Sequence, residues 1–163
     1  MPKKLLKSLE EGEEYALRLL GIRDYSHDEI RQKLRGKGLG VNEAEEILKK
    51  LEARGLIDDR RYARRLAAFY TRDKLWGPQR VVHRLLQKGI SLDLAREATG
   101  QAEEDGASRE RLQKVLRLKL KGQGLDKMLP QEKRRLTNYL RQRGFLWEDI
   151  MEALQEAGDF TEE

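Results

Sequence analysis

The residue types that could do chemistry are few in this chain, and their spacing argues against a catalytic centre. There is no cysteine, which excludes thiol nucleophiles, thiolate metal sites and disulfides. The two histidines, His27 and His83, stand far apart with no second ligand four residues on and no shared acid pair. Each reads as a helix-surface residue rather than a base or a metal ligand. Ser26 and the pair Asp58-Asp59 sit where helix caps belong, not as nucleophile and orienter. The pieces GKGLG (36–40) and KGQG (121–124) lack a preceding strand and the Lys-Ser/Thr ending of a phosphate loop. No active site, metal, nucleotide pocket or other cofactor is assigned.

Cations are abundant instead. The 163 residues carry a formal net charge of +5 with 39% charged side chains, and the pI is about 9.4. Between Arg60 and Lys88 there are nine Lys/Arg against one acid, Asp73, an excess of +8. Such uneven charge points to an anionic partner, either a polyanion or an acidic protein surface. Apolar residues make up 38% of the chain, enough for several small cores in series rather than one large one. No apolar run approaches the ~20 residues needed to span a bilayer, and the first residues lack a signal-peptide hydrophobic stretch. A cytoplasmic protein with no membrane role is expected.

Helical periodicity places the elements. Residues 1–12 read as a leader ending at Gly12, with a short surface helix as its most structured form. A first helix over Glu13–Arg23 carries Ala16, Leu17 and Leu20 at helical spacing. Ser26, with Glu29 three residues on, predicts a capping box for a helix from His27 to Gly36. Asn42 is expected to cap a third helix to Arg54. Asp58 caps a fourth from Asp59 to about Lys74, burying Tyr62, Leu66, Phe69 and Tyr70. Gly77-Pro78 opens a fifth to Lys88, and Ser91 or Asp93 opens a sixth to about Thr99. The polar, acidic QAEEDGA (101–107) reads as a linker. Beyond it come helices from Ser108, with a basic stripe of Arg111, Lys114, Arg117 and Lys121, from Pro130 to Arg143, and from Trp147 to Ala157. Residues 158–163 read as an acidic tail.

Three segments share one pattern: EIRQKLRGKGL (29–39), RVVHRLLQKGI (80–90) and RLTNYLRQRGF (135–145). Each has bulky apolar residues eight and four places before a glycine and one just after it. The triplets are Ile30/Leu34/Leu39, Val81/Leu85/Ile90 and Leu136/Leu140/Phe145, and the glycines are Gly38, Gly89 and Gly144. The chain thus reads as all-α, three tandem three-helix repeats (13–57, 58–100 and 108–157) in an elongated, curved array. The basic stripes suit phosphates without sequence readout. Tyr62, Phe69 and Tyr70 fall on apolar faces and are expected in the core rather than as base-stacking platforms.

GLIDDRRYARRLAAFYTR (55–72) followed by WGPQRVVHRLLQKGI (76–90) resembles the signature of RecX, the family of bacterial regulators of the RecA recombinase. ALRLLGIRDYSHDEIRQKLRGKGL (16–39) is similar to that family's opening, and the third unit matches more loosely. The match departs at the acidic 101–107 and in a longer loop at KGQGLDK (121–127). The resemblance implies three tandem three-helix repeats, no enzymatic activity, and binding in the groove of the RecA filament on single-stranded DNA. There it would limit filament growth, ATP hydrolysis, strand exchange and co-protease activity. The expected contact surface is Arg60, Arg61, Arg64, Arg65, Arg72, Lys74, Arg80, Arg84 and Lys88 in the second unit, Arg31, Lys33 and Lys37 in the first, and Arg117 and Lys121 in the third. A monomer is expected, with at most weak direct contact to DNA. The alternative is a sequence-neutral nucleic-acid-binding helical module.

Overall fold

The structure is a computed structural model and describes residues 5–103 and 107–159. Expectations for residues 1–4, 104–106 and 160–163 lie outside the described residues. Within them the chain is all-helical: α1 (Leu9–Leu20), α2 (His27–Arg35), α3 (Val41–Ala53), α4 (Asp59–Arg72), α5 (Pro78–Gln87), α6 (Leu92–Ala102), α7 (Ala107–Leu120), a 3-10 turn (Leu125–Lys127), α8 (Pro130–Gln142) and α9 (Trp147–Asp159). The helices form a tandem array of three clusters. In each, the first and second helices pack on the third: α1 and α2 on α3, α4 and α5 on α6, α7 and α8 on α9. Each set encloses its own apolar cluster.

The three sequence triplets explain how each cluster closes. All nine residues are buried, none more than 6% exposed. Gly38, Gly89 and Gly144 share a left-handed backbone, with φ of +92°, +76° and +88°. Each glycine N–H bonds back three residues, to the carbonyls of Arg35, Leu86 and Arg141. The next N–H bonds back five: Leu39 to Leu34, Ile90 to Leu85, Phe145 to Leu140. This is the Schellman ending, whose apolar contact joins the residue after the glycine to the one four before it. Two members of each triplet are that contact.

The Schellman bonds leave the carbonyl just before the glycine without a partner in its own helix. In all three units the preceding segment supplies the donor. Leu6 N–H donates to Lys37 O at 2.9 Å, and Gly77 N–H to Arg143 O at 2.7 Å. Between the first and second units the Ser26 hydroxyl donates to Lys88 O at 2.5 Å. Ser26 and Gly77 are the N-caps of α2 and α5. A helix start in one unit therefore sits on the glycine turn of the next. The extended residues before α1 take the same place at the beginning of the array.

Several expectations need correction. Helix α1 starts at Leu9 on a Ser8 cap and ends at Leu20. Gly12 does not end a helix, because it lies buried inside α1 against Leu39 and Ile47. The N-cap of α3 is Gly40 rather than Asn42, with the Glu43 carboxylate accepting the Gly40 N–H at 2.8 Å. Gln101 and Ala102 belong to α6, whose last turn buries Ala98 and Thr99, and Ala107 already belongs to α7. Gly158 and Asp159 end α9. Phe69 is 42% exposed rather than core.

Glu29 joins the first two units a second time. Its carboxylate caps the Ser26 N–H at 3.2 Å and accepts from the Tyr62 hydroxyl at 3.0 Å, from Lys88 Nζ at 2.8 Å and from Arg23 at 3.4 Å. Burial pushes this carboxyl up, but the bonds from Lys88, Ser26, Tyr62 and Arg23 outweigh it and hold Glu29 below the ordinary glutamate range. Burial first, and the Glu29 charge second, push Tyr62 up to about 12.

Two predictions follow from these joints. A Cβ on Gly77 would lie 2.3 Å from the backbone of Gly144 and Phe145, whereas one on the exposed helical Gly100 meets nothing within 4 Å. Gly77→Ala should lower stability by about 1–3 kcal/mol and Gly100→Ala should raise it by about 0.5–1 kcal/mol, both read by denaturant midpoint. A depressed carboxylate stabilises above its unfolded-state value and loses that contribution as pH falls. The melting temperature of Glu29→Gln should therefore fall less steeply on acidification than that of the parent, and equal slopes would contradict the assignment. Tyr62 adds a loss on the alkaline side, as pH rises from about 10 through about 12.

Candidate binding surface

Much of the basic excess in the second unit is paired within the protein. Arg60 and Arg64 both reach Glu97 Oε1, at 2.5 and 3.4 Å. Arg65 pairs with Asp24. Arg61 holds the Gly55 carbonyl at 3.1 Å and lies 3.7 Å from Asp58. Lys88 is committed to Glu29. In the first unit, Arg31 meets Glu45 at 2.7 Å and Asp28 at 3.3 Å. The remaining expected cations separate into three groups. Lys33 and Lys37 stand 5.3 and 5.6 Å from the Tyr25 and Tyr15 rings. Arg117 and Lys121 are exposed on and just after α7, and Arg117 borders an apolar groove against α9. Arg72 ends α4, Lys74 follows two residues on, and Arg80 and Arg84 lie on α5.

Three of this last group, Lys74, Arg80 and Arg84, stand among aromatic rings. Tyr70 stacks on Trp76 with centroids 4.5 Å apart, and Phe69 packs against Tyr70 at 5.4 Å. Lys74 lies 5.4 Å from the Phe69 ring, Arg80 lies 4.1 Å from the Trp76 ring, and Arg84 donates to the Tyr70 hydroxyl at 3.4 Å. Such cation–ring contacts hold long side chains in place while leaving their charge unneutralised. The third unit continues the surface. Arg143 donates to the Leu75 carbonyl at 3.4 Å and to that of Lys74, and it also reaches the Tyr139 hydroxyl at 3.0 Å. Lys119 lies 4.3 Å from the Tyr139 ring. A basic and aromatic seam thus crosses the junction of the second and third units.

Leu75 shapes that seam. It adopts φ of +52°, a left-handed conformation disfavoured for a branched side chain. The turn sends the Leu75 side chain into the third unit's apolar cluster and offers its carbonyl to Arg143. The basic stripe expected on α7 is also broken here. Arg111 is buried, its side chain 7% exposed, and it donates to the Trp76 carbonyl at 2.9 Å while pairing with Glu103. It is a staple between units, not a surface cation.

Comparison with known proteins agrees with this architecture. The family description of the first three-helix domain of RecX matches residues 14–51, and that of the second matches residues 58–98. Regulatory protein RecX of Chlorobaculum tepidum is 32% identical over 142 residues, covering 87% of this chain and 85% of that protein. That of Escherichia coli K12 is 32% identical over 154 residues, covering 88% and 90%. The chain belongs to the RecX family. A crystal structure of RecX from Lactobacillus salivarius superposes with a TM-score of 0.81 at 24% identity, covering 93% of this chain and 97% of that one. A second RecX crystal structure gives 0.77 at 25% identity, covering 91% and 71%.

RecX proteins are named as regulators, and the seam of cations and aromatic rings is the candidate surface. Among the described residues no helix is long and apolar enough to cross a membrane. None of their His, Cys, Asp or Glu residues form a group of three or more able to hold a metal. The sequence singled out Lys74, Arg80 and Arg84, which the fold brings together through Phe69, Tyr70 and Trp76, and Arg72, which stands exposed at the end of α4. It missed Lys119, Tyr139, Arg143 and Trp76. Trp76 was legible as an aromatic between two basic helices, while the third-unit residues join the seam only through the junction.

Arg111 yields a further prediction. Glu103 Oε2 is buried with no hydrogen-bond partner among the described residues, so the Glu103 charge depends on Arg111. Arg111→Met should cost about 3–5 kcal/mol of unfolding free energy by leaving a buried carboxylate alone. The double change with Glu103→Gln should recover much of it, as read by chemical denaturation. Additive losses would show that the two side chains do not act as a pair.

Proposed function

We propose that this RecX-family protein binds the RecA filament on single-stranded DNA and inhibits its ATPase, recombinase and co-protease activities, and so tunes DNA repair and the damage response. The observation that carries this reading is the seam of unneutralised cations on aromatic rings, set across a unit junction in a chain of this family. A filament groove bounded by phosphates and acidic protein is the complementary partner. In this reading the chain acts as a cytoplasmic monomer, with repeats over 13–57, 58–100 and 108–157.

Arg72, Lys74, Arg80 and Arg84 form the centre of the contact, with Arg117 and Lys121 of the third unit and Lys33 and Lys37 of the first as further contacts. Arg31, Arg60, Arg61, Arg64, Arg65 and Lys88 are secondary. Most of their ion pairs are surface pairs worth roughly 0–1 kcal/mol, so exchange of a carboxylate for a phosphate is inexpensive but gains less than engaging an unpaired cation.

The test is RecA-catalysed ATP hydrolysis on single-stranded DNA with substoichiometric protein, which should fall. Arg72→Glu with Lys74→Glu, both at exposed positions, should raise the half-inhibiting concentration about tenfold or more, ~1.4 kcal/mol. Arg60→Glu should do less. Unchanged hydrolysis with the parent protein would refute the proposal. The alternative, a sequence-neutral nucleic-acid binder, requires tight binding to bare duplex whose affinity falls as about the 0.9Z power of salt for Z phosphate contacts.

A further inference from the structure

Beside the seam lies a cavity of about 470 Å³ lined by Gln79, Asn138, Arg141, Gln142, Phe145 and Trp147. Its position is set by the unit joint. Gln79 N–H donates to the Gly144 carbonyl at 3.1 Å, which brings the start of α5 against the α8–α9 turn. Arg80 donates to the Gln142 carbonyl at 3.1 Å while lying over Trp76, so the cavity opens directly beside the seam. Phe145 is almost wholly buried and forms a floor, whereas Trp147 is 49% exposed at the start of α9. The Arg141 guanidinium stands 5.7 Å from the Trp147 ring centre.

The chemistry of this lining is unlike that of the other concavities. It holds three amide side chains, one cation, two aromatic rings and no carboxylate. The cavity at Tyr15 and Lys37 includes Glu29, already committed to the first joint. The groove between α7 and α9 is apolar and includes Glu156. Amides offer a donor and an acceptor side by side, the pattern on the edge of a nucleobase. A half-exposed indole offers a face on which any base can stack. A guanidinium beside the ring suits the phosphate flanking a stacked base.

We propose that this cavity receives one unstacked base of a single strand, with Trp147 as the stacking platform, the Gln79, Asn138 and Gln142 amides on the base edge, and Arg141 on the adjacent phosphate. The inference deepens the filament reading and rests on it for the identity of the strand. It adds a base-dependent contact to a surface whose cations hold phosphates alone. A duplex, whose bases are stacked and paired, should not use the cavity.

The experiment compares a single-stranded oligothymidylate with an abasic strand of the same length, titrated against the full chain. The parent protein should bind the base-bearing strand about tenfold more tightly. Trp147→Ala should abolish that preference, Trp147→Phe should restore part of it, and both should leave duplex affinity and the melting temperature close to the parent's. Arg141→Ala should weaken both strands and lower the salt dependence by about one phosphate contact. The proposal is overturned if the parent does not distinguish the strands or if Trp147→Ala keeps the preference. It is equally overturned if Trp147→Ala binds both strands like the parent but loses filament inhibition, which would assign the cavity to a protein partner. A parent that inhibits RecA without preferring bases would remove the cavity's role and leave the filament reading intact. Base preference without inhibition would do the reverse.

Discussion

One carbonyl per unit organises this molecule. A Schellman ending satisfies the earlier orphan acceptors of a helix but leaves the carbonyl before its left-handed glycine facing outward. Lys37, Lys88 and Arg143 occupy that position, and each takes a donor from the segment that precedes its unit. The glycine beside each carbonyl keeps the approach clear. A Cβ on Gly89 would strike Asp28, and one on Gly144 would strike the Arg80 backbone. The same residue therefore ends a helix, closes an apolar cluster and docks the neighbouring unit.

From this constraint the basic and aromatic seam follows. Docking α5 on the Arg143–Gly144 turn places Trp76 and Arg80 beside Tyr139, Gln142 and Trp147, residues that local folding alone would not bring together. Leu75 and Arg111 fasten the junction from either side, one by its side chain in the third cluster and the other by its bond to the Trp76 carbonyl. The joint between the first two units is made differently. There, Glu29 gathers Tyr62, Lys88 and Arg23 and consumes cations rather than displaying them. The two joints share a filled carbonyl acceptor, Lys88 O at one and Arg143 O at the other, and differ in the charge gathered around it.

The legible part of the sequence was the local part. The triplets around Gly38, Gly89 and Gly144 are the Schellman signature, and the Ser26–Glu29 capping box is present as read. The family resemblance carried by 55–90 holds. Gly12 was misread because a glycine inside a helix looks, in sequence, like its end; only the packing of Leu39 and Ile47 distinguishes the two. The arginines of α4 looked free because their partners are distant, Glu97 lying 37 and 33 residues away and Asp24 lying 41. Arg111 shared the periodicity of its basic neighbours, and only tertiary packing shows that it is buried. Phe69 kept core spacing on a face that the second unit leaves open.

We propose the seam between the second and third units as the surface that meets the filament. Amide hydrogen exchange, compared between the free protein and the protein bound to RecA on single-stranded DNA, tests this most directly. Exchange should slow at 72–77 and 143–147 on binding and stay unchanged along the outer face of α3 at 42–50. Protection confined to the first unit, with none at 72–77 or 143–147, would contradict it.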